Sequence, residues 1–204
     1  MLKIKHLIFF LLMFSLVPST SQGFFHNWEL KLNNDVIRAA MLMGADVNRT
    51  KLAPSGVLEL DKNIVTLLTK INNYSEKKRS YIKSKLLTFS KWNNLRGKSY
   101  RMSFENMLSG KDCAGDYRPF SPEIKKLRND LNKIKGFGPR FLDPMDDSHH
   151  KLLQKMSKAM CDVKNQKRIE SAKHMLKKLM SLTRLMELVV AKRQSDFLNK
   201  IKGP

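Results

Sequence analysis

Apolar residues in this chain recur every three or four positions along most of its length, and no useful stretch alternates with the period of two that a strand requires. Trp28, Leu32, Val36, Ala39 and Met43 make one stripe, which Gly44 stops. Leu60, Ile64, Leu67, Leu68 and Ile71 make a second, after the turn signal Pro54-Ser55-Gly56. Ser75 is placed to cap a third helix, with Ile82, Leu86 and Phe89 inward and Lys77, Lys78, Arg79, Lys83 and Lys85 mostly outward. A shorter segment around Met102 to Leu108 precedes a loop from Gly110 to Asp116. Ser121-Pro122-Glu123 opens a fourth helix, with proline at its first position and an acid in its first turn. Ile124, Leu127, Leu131 and Ile134 are its inward face, and Gly136, Gly138 and Pro139 are read as its end. Asp146-Asp147-Ser148 then begins a long helical region, with room for a break, that reaches Ile201. Leu176, Leu179, Leu182, Met186, Val189 and Val190 give that region a broad apolar face. The expected fold is all-α: a bundle of five or six helices with a long basic amphipathic helix at its C-terminal end.

Residues 1–23 stand apart. Lys3 and Lys5 precede an apolar run from Leu7 to Val17, and small residues follow at Ser21 and Gly23, the pattern of a signal peptide. A retained membrane anchor needs about 18 apolar residues, more than this run supplies. The reading is therefore a secreted chain with a single domain over 24–204.

Charge narrows the partners. Lys and Arg number 39 against 18 Asp and Glu, a net charge of +21, of which only Lys3 and Lys5 leave with the signal segment. An excess of this size speaks of partners rather than of fold. An exported protein rarely meets nucleic acid, so anionic glycans, acidic glycoproteins and anionic membrane surfaces fit better. From Lys164 to Lys202, eleven Lys or Arg face only Glu170, Glu187 and Asp196. That segment reads either as a bundle helix whose leucines are core or as a surface-seeking helix beside anionic lipid.

The two cysteines, Cys113 and Cys161, are an even count in an exported chain and favour one disulfide. A closed loop of about 48 residues would stabilise by roughly 4 kcal/mol in the chain-entropy description. Asn48-Arg49-Thr50 and Asn73-Tyr74-Ser75 fit the N-glycosylation acceptor pattern, which requires exposure. Asp143, Asp146, Asp147, His149 and His150 gather metal-ligand types, but adjacent histidines face different ways on a helix and no ligand spacing is present, so no metal is expected. Gly44-Ala45-Asp46-Val47-Asn48 matches an ankyrin-repeat ending without a second copy, and is read as chance. Glu76-Lys77-Lys78-Arg79 reads as a solvated helix face rather than a processing site. There is no nucleophile elbow, no glycine-rich phosphate cradle and no zinc-protease His-Glu-x-x-His. The expectation is a non-enzyme without cofactor.

Gly115-Asp116-Tyr117-Arg118 followed by Glu123-Ile124-Lys125-Lys126-Leu127-Arg128-Asn129-Asp130 resembles a turn and helix of the gastropod sperm lysins, the acrosomal egg-lysin family. Pro139-Arg140-Phe141-Leu142 and Met145 are similar to a later proline-basic-aromatic-leucine segment of that family. Leu32-Asn33, Ala39-Ala40, Gly44 and the run Lys77-Lys78-Arg79 fall in matching order, so the resemblance covers about residues 30–156 and leaves 157–204 as an extra C-terminal helical extension. It implies a basic helical bundle stored in the acrosomal vesicle. Such a bundle binds a glycoprotein of the egg vitelline envelope and loosens the envelope without cleaving bonds. The basic positions carried over for partner binding are Lys77, Lys78, Arg79, Arg118, Lys125, Lys126, Arg128 and Arg140. The chain departs from the family in having fewer Tyr and Trp, a cysteine pair and a longer C-terminal end. A membrane-fusing acrosomal relative exists, so a membrane-active protein, fusogenic or antimicrobial, is the rival reading. A secreted helical signalling ligand is a third, and the resemblance leaves a homodimer open.

Overall fold

The structure is a computed structural model and describes residues 20–45, 54–110, 121–135, 137 and 139–203. Among the described residues the chain forms six α-helices and no strand, an all-α bundle as expected. The helices are α1 (Thr20–Ala40), α2 (Pro54–Asn72), α3 (Glu76–Leu108), α4 (Pro122–Asn132), α5 (Pro139–Met160) and α6 (Gln166–Lys200). The chain divides into two compact units, Met1–Leu32 and Asn33–Pro204. The described part of the first is the helical segment from Thr20 to Leu32. The second holds everything discussed below.

Several helix boundaries depart from the sequence reading. The third helix does not stop before Met102: α3 is one helix of 33 residues, about 50 Å long. No proline interrupts it, and one internal glycine, Gly97, is tolerable at the cost of about 1 kcal/mol relative to alanine. Ser75 does occupy the N-cap position of α3, but its side chain makes no capping bond. Its backbone carbonyl accepts from the Arg79 N–H instead, at 3.0 Å. Pro54 and Pro139 were read as a turn and a stop, yet each is the first residue of a helix. The missing N–H of proline costs nothing at that position, where no intrahelical acceptor exists. α5 therefore begins at Pro139, before Asp146. The break in the long C-terminal region is real and lies between Met160 and Gln166. There the Asn165 side chain accepts from the Arg168 N–H and restarts the helix, while Arg168 pairs with Asp162 at 2.9 Å. Ser121 caps α4 by accepting from the Ile124 N–H, as its sequence announces.

α3 is the spine, packed against α4, α5 and α6, and α6 also meets α2 and α5. Its buried residues, Ile82, Leu86, Phe89, Trp92, Arg96, Tyr100, Phe104 and Met107, follow at three or four and keep one face inward along the full length. One apolar cluster joins Tyr100, Phe104 and Met107 of α3 to Leu153, Met156, Ala159 and Met160 of α5 and Ala172 and Leu176 of α6. Toward the other end of α3, Phe89 meets Trp92 and, edge to face, Phe137, with ring centroids 5.9 and 5.7 Å apart. Between these stretches the inward face is polar. Arg96 is buried with its guanidinium 4.9 Å from the Trp92 ring and 5.8 Å from the Tyr100 ring.

α1 gives way to a single π-helical turn, Met41–Ala45, which packs on α6. A methyl group on Gly44 would stand 3.0 Å from Val190 Cγ1 and 3.1 Å from Gln194 Nε2, so glycine is what lets the turn approach. The sequence reading saw only a helix stop at this residue.

Candidate functional site

α4 lies antiparallel against the first half of α3. Lys91 of α3 pairs with Glu123 in the first turn of α4 at 2.9 Å, while Lys85, nearly two turns earlier on α3, acts on Asp130 near the end of α4. Asp130 sits among three lysines. A hydrogen bond from Lys133 at 2.9 Å, and then the charges of Lys133, Lys126 and Lys85, hold its carboxyl below the usual range. One acid serving three bases leaves the surface around it positive. Lys125 and Lys126 are exposed and Arg128 half-buried, all on this helix.

The rim of this face is built from two tyrosine–lysine pairs one turn long. Lys78 lies over the Tyr74 ring and Lys85 over the Tyr81 ring, with Nζ 5.9 and 5.3 Å from the centroids. Both rings are anchored from beneath by α1. The Tyr74 hydroxyl donates to Asp35 Oδ2 at 2.7 Å, and the Tyr81 hydroxyl donates to Asn33 Oδ1 at 2.9 Å. Lys70 donates to the other Asp35 oxygen at 2.7 Å. Asp35 is buried, so these two donors supply what water no longer can. Burial first, and then the bond to Asp35, push the Tyr74 hydroxyl above its ordinary value, and the same carboxylate raises Lys70. Nothing in the sequence singled out Asn33 or Asp35 for this role, because their partners are 35 to 48 positions away.

The carried-over basic positions therefore separate. Lys78 and Lys126 belong to the α3–α4 face, together with Lys85, Lys91 and Lys133, which the motif does not single out. Lys125 is exposed and Arg128 half-buried on the other flank of α4. Lys77 is exposed in the first turn of α3. Arg79 is half-buried and donates to the Tyr74 carbonyl at 2.6 Å, so it fastens the α2–α3 corner. Arg118 lies outside the described residues, as does the side chain of Arg140. Cys161 follows α5 and is not a free thiol, while Cys113 lies outside the described residues. Asn73 is exposed in the α2–α3 turn, and Asn48 lies outside the described residues.

Two further features lie on α6. A cavity of about 300 Å³ between α2 and α6 mixes Asp61 and Asp196 with Lys192, Arg193 and Lys200 over Ile64, Val189 and Phe197. Its charges nearly balance, unlike those of the α3–α4 face. Earlier on α6, Leu182, Leu185, Leu188 and Val189 are exposed, so the Leu182 and Val189 part of the apolar face read from the sequence does not pack as core. Among the described residues no group of three or more His, Cys, Asp or Glu is placed to hold a metal ion. His150 is exposed, with its ring nitrogen 3.0 Å from the Gln154 amide.

Comparison of the chain with protein-family models, with curated proteins and with solved structures gives no match.

Proposed function

We propose that this is a secreted, non-enzymatic fertilisation protein of the sperm acrosome that binds an acidic glycoprotein of the egg vitelline envelope and loosens the envelope by competing for its contacts. The observation that carries the reading is the α3–α4 face. Lys85, Lys126 and Lys133 surround a single carboxylate, and Lys78 extends the charge along α3, while Lys91 is matched by Glu123. Such a face attracts and orients an acidic partner, raising the rate of encounter and fixing register more than it adds raw affinity. Rigid tyrosines beneath the lysines limit the freedom that binding must remove. The order of the lysin-like motifs supplies the biological setting, and the signal-peptide pattern supplies the route. A Cys113–Cys161 bridge in the secreted chain belongs to the same proposal.

Mixing the purified protein with isolated egg envelopes of the same species tests it. Turbidity should fall while the envelope polypeptides stay intact on a denaturing gel, at an extent set by the amount of protein rather than by time. Clearing accompanied by new fragments would make the protein a protease and overturn the reading.

A further inference from the structure

Amphipathicity inverts in the middle of α6. The inward face of this helix runs through Ala172, Leu176, Leu179, Thr183, Glu187, Val190, Gln194, Phe197 and Ile201. At its centre the inward positions among the described side chains include Thr183 and Glu187, and Glu187 is held there by Arg101 of α3 at 3.2 Å and by the room that Gly97 leaves. Over those same turns four apolar residues among the described side chains are exposed: Leu182 and Leu185 at 57%, Leu188 at 65% and Val189 at 41%. Leu182, Leu185 and Val189 follow the i, i+3, i+7 line of one helix face, with Leu188 beside it. A single exposed leucine needs no explanation, but four within eight positions form a patch.

On α6 itself the exposed charges over these turns are basic, while Asp61 and Asp196 lie beside Val189 and Lys192 at the α2 side. Between Ser171 and Lys192 the exposed charged residues of α6 are Lys177, Lys178, Arg184 and Lys192, with no acid among them. Lys178 stands one turn before Leu182 and Lys192 about one turn after Leu188, so the apolar patch is bracketed by bases. A second copy of the chain does not suit this surface, since it would set lysine against lysine. An anionic bilayer answers both halves at once: headgroup phosphates and carboxylates meet the bases, and the acyl region takes the leucines. The long lysine stems can lie along the patch while their ammonium groups reach the headgroups. Among the described residues no helix is long and apolar enough to cross a membrane.

We infer that the middle of α6, from Lys178 to Lys192, is a membrane-docking face that lays Leu182, Leu185 and Leu188 into the surface of an anionic bilayer. This inference does not rest on the egg-envelope reading, and no envelope component enters its test. Co-sedimentation of the purified protein with vesicles of phosphatidylcholine and phosphatidylserine, and with phosphatidylcholine alone, decides it. The protein should sediment with the anionic vesicles. The variant Leu182→Ser/Leu185→Ser/Leu188→Ser, which keeps every charge, should bind them roughly tenfold more weakly or worse. Equal binding by that variant would mean that net charge alone attracts the protein, and absence of binding by the unaltered protein would return the face to a protein partner; either overturns the inference. Amide exchange of the unaltered protein gives a reading independent of any variant's folding. Anionic vesicles should slow exchange over 178–192, and slowing confined to the α3–α4 face would contradict the inference.

Discussion

Two stretches of α6 carry the same kinds of residue to opposite ends. From Val190 to Ile201, Val190, Phe197, Leu198 and Ile201 are buried, with Gln194 buried among them and accepting from the Ser90 hydroxyl at 2.7 Å. From Leu182 to Val189, leucines of equal hydrophobicity face solvent while Glu187 points in. The difference comes from what each stretch meets. The later stretch faces the π-helical turn, α2 and the apolar half of α3, and its end is tied down by Asn72, which donates to the Lys200 carbonyl at 3.0 Å and accepts from the Lys202 N–H at 2.9 Å. The earlier stretch faces the polar waist of α3, where Arg96, Gly97 and Arg101 leave a place for a carboxylate rather than for a leucine. A helix's apolar residues mark its core face only where its neighbour is apolar too.

The contrast is broken first by a matched pair, Phe197 and Leu185, and then by three single substitutions in order of falling effect. Phe197→Ala should destabilise by about 3–5 kcal/mol, read by denaturant unfolding, because it empties a buried site. Leu185→Ala should change stability by no more than about 0.5 kcal/mol, since that side chain is already in water. Gly44→Ala should cost about 1–3 kcal/mol, because its methyl group would press on Val190 and Gln194 within the buried stretch. Asp35→Ala should cost about 2 kcal/mol, as it strips the acceptor from the Tyr74 hydroxyl and Lys70; the exposure of Lys70 keeps that half of the loss small. Asn72→Ala should cost about 1 kcal/mol and speed amide exchange at the end of α6 more than in its middle.

The pH dependence of stability follows from the same groups. Lys70 and Tyr74 both titrate higher in the folded chain than free, so what they contribute is fully present below about pH 10 and is lost as pH rises through their folded values. Asp130 titrates lower, so its contribution holds above about pH 4 and is lost as pH falls through its folded value. Thermal melts should show an alkaline decline that Asp35→Ala reduces, leaving the part that burial of Tyr74 causes, and an acid decline that Asp130→Asn reduces.

Much of the fold is legible in the sequence. Ser121-Pro122 marks the start of α4 by a local rule, and the stripes of α2, α3 and α4 mark their inward faces because each meets apolar neighbours. Pro54 and Pro139 misled, since proline signals both a helix end and a helix start and only the acceptors upstream tell which. The continuity of α3 past Leu95 was hidden because its inward face there carries Arg96, which a hydropathy pattern reads as surface. The site was legible in part. Lys125 and Lys126 were found by motif, whereas Lys85, Lys91 and Lys133 enter through the antiparallel docking of α4, a long-range pairing that no local spacing encodes. Asp35 was invisible for the same reason.

The most direct test of the proposed binding role is to reverse charge on α4 alone, with Lys125→Glu, Lys126→Glu and Arg128→Glu together, and to measure binding to isolated egg envelopes across a range of salt. The account predicts that affinity falls by roughly tenfold or more and that its salt dependence flattens, because half of the local positive charge is reversed; a far-ultraviolet spectrum identical to that of the unaltered protein checks the fold. Binding of unchanged strength and unchanged salt dependence would contradict it.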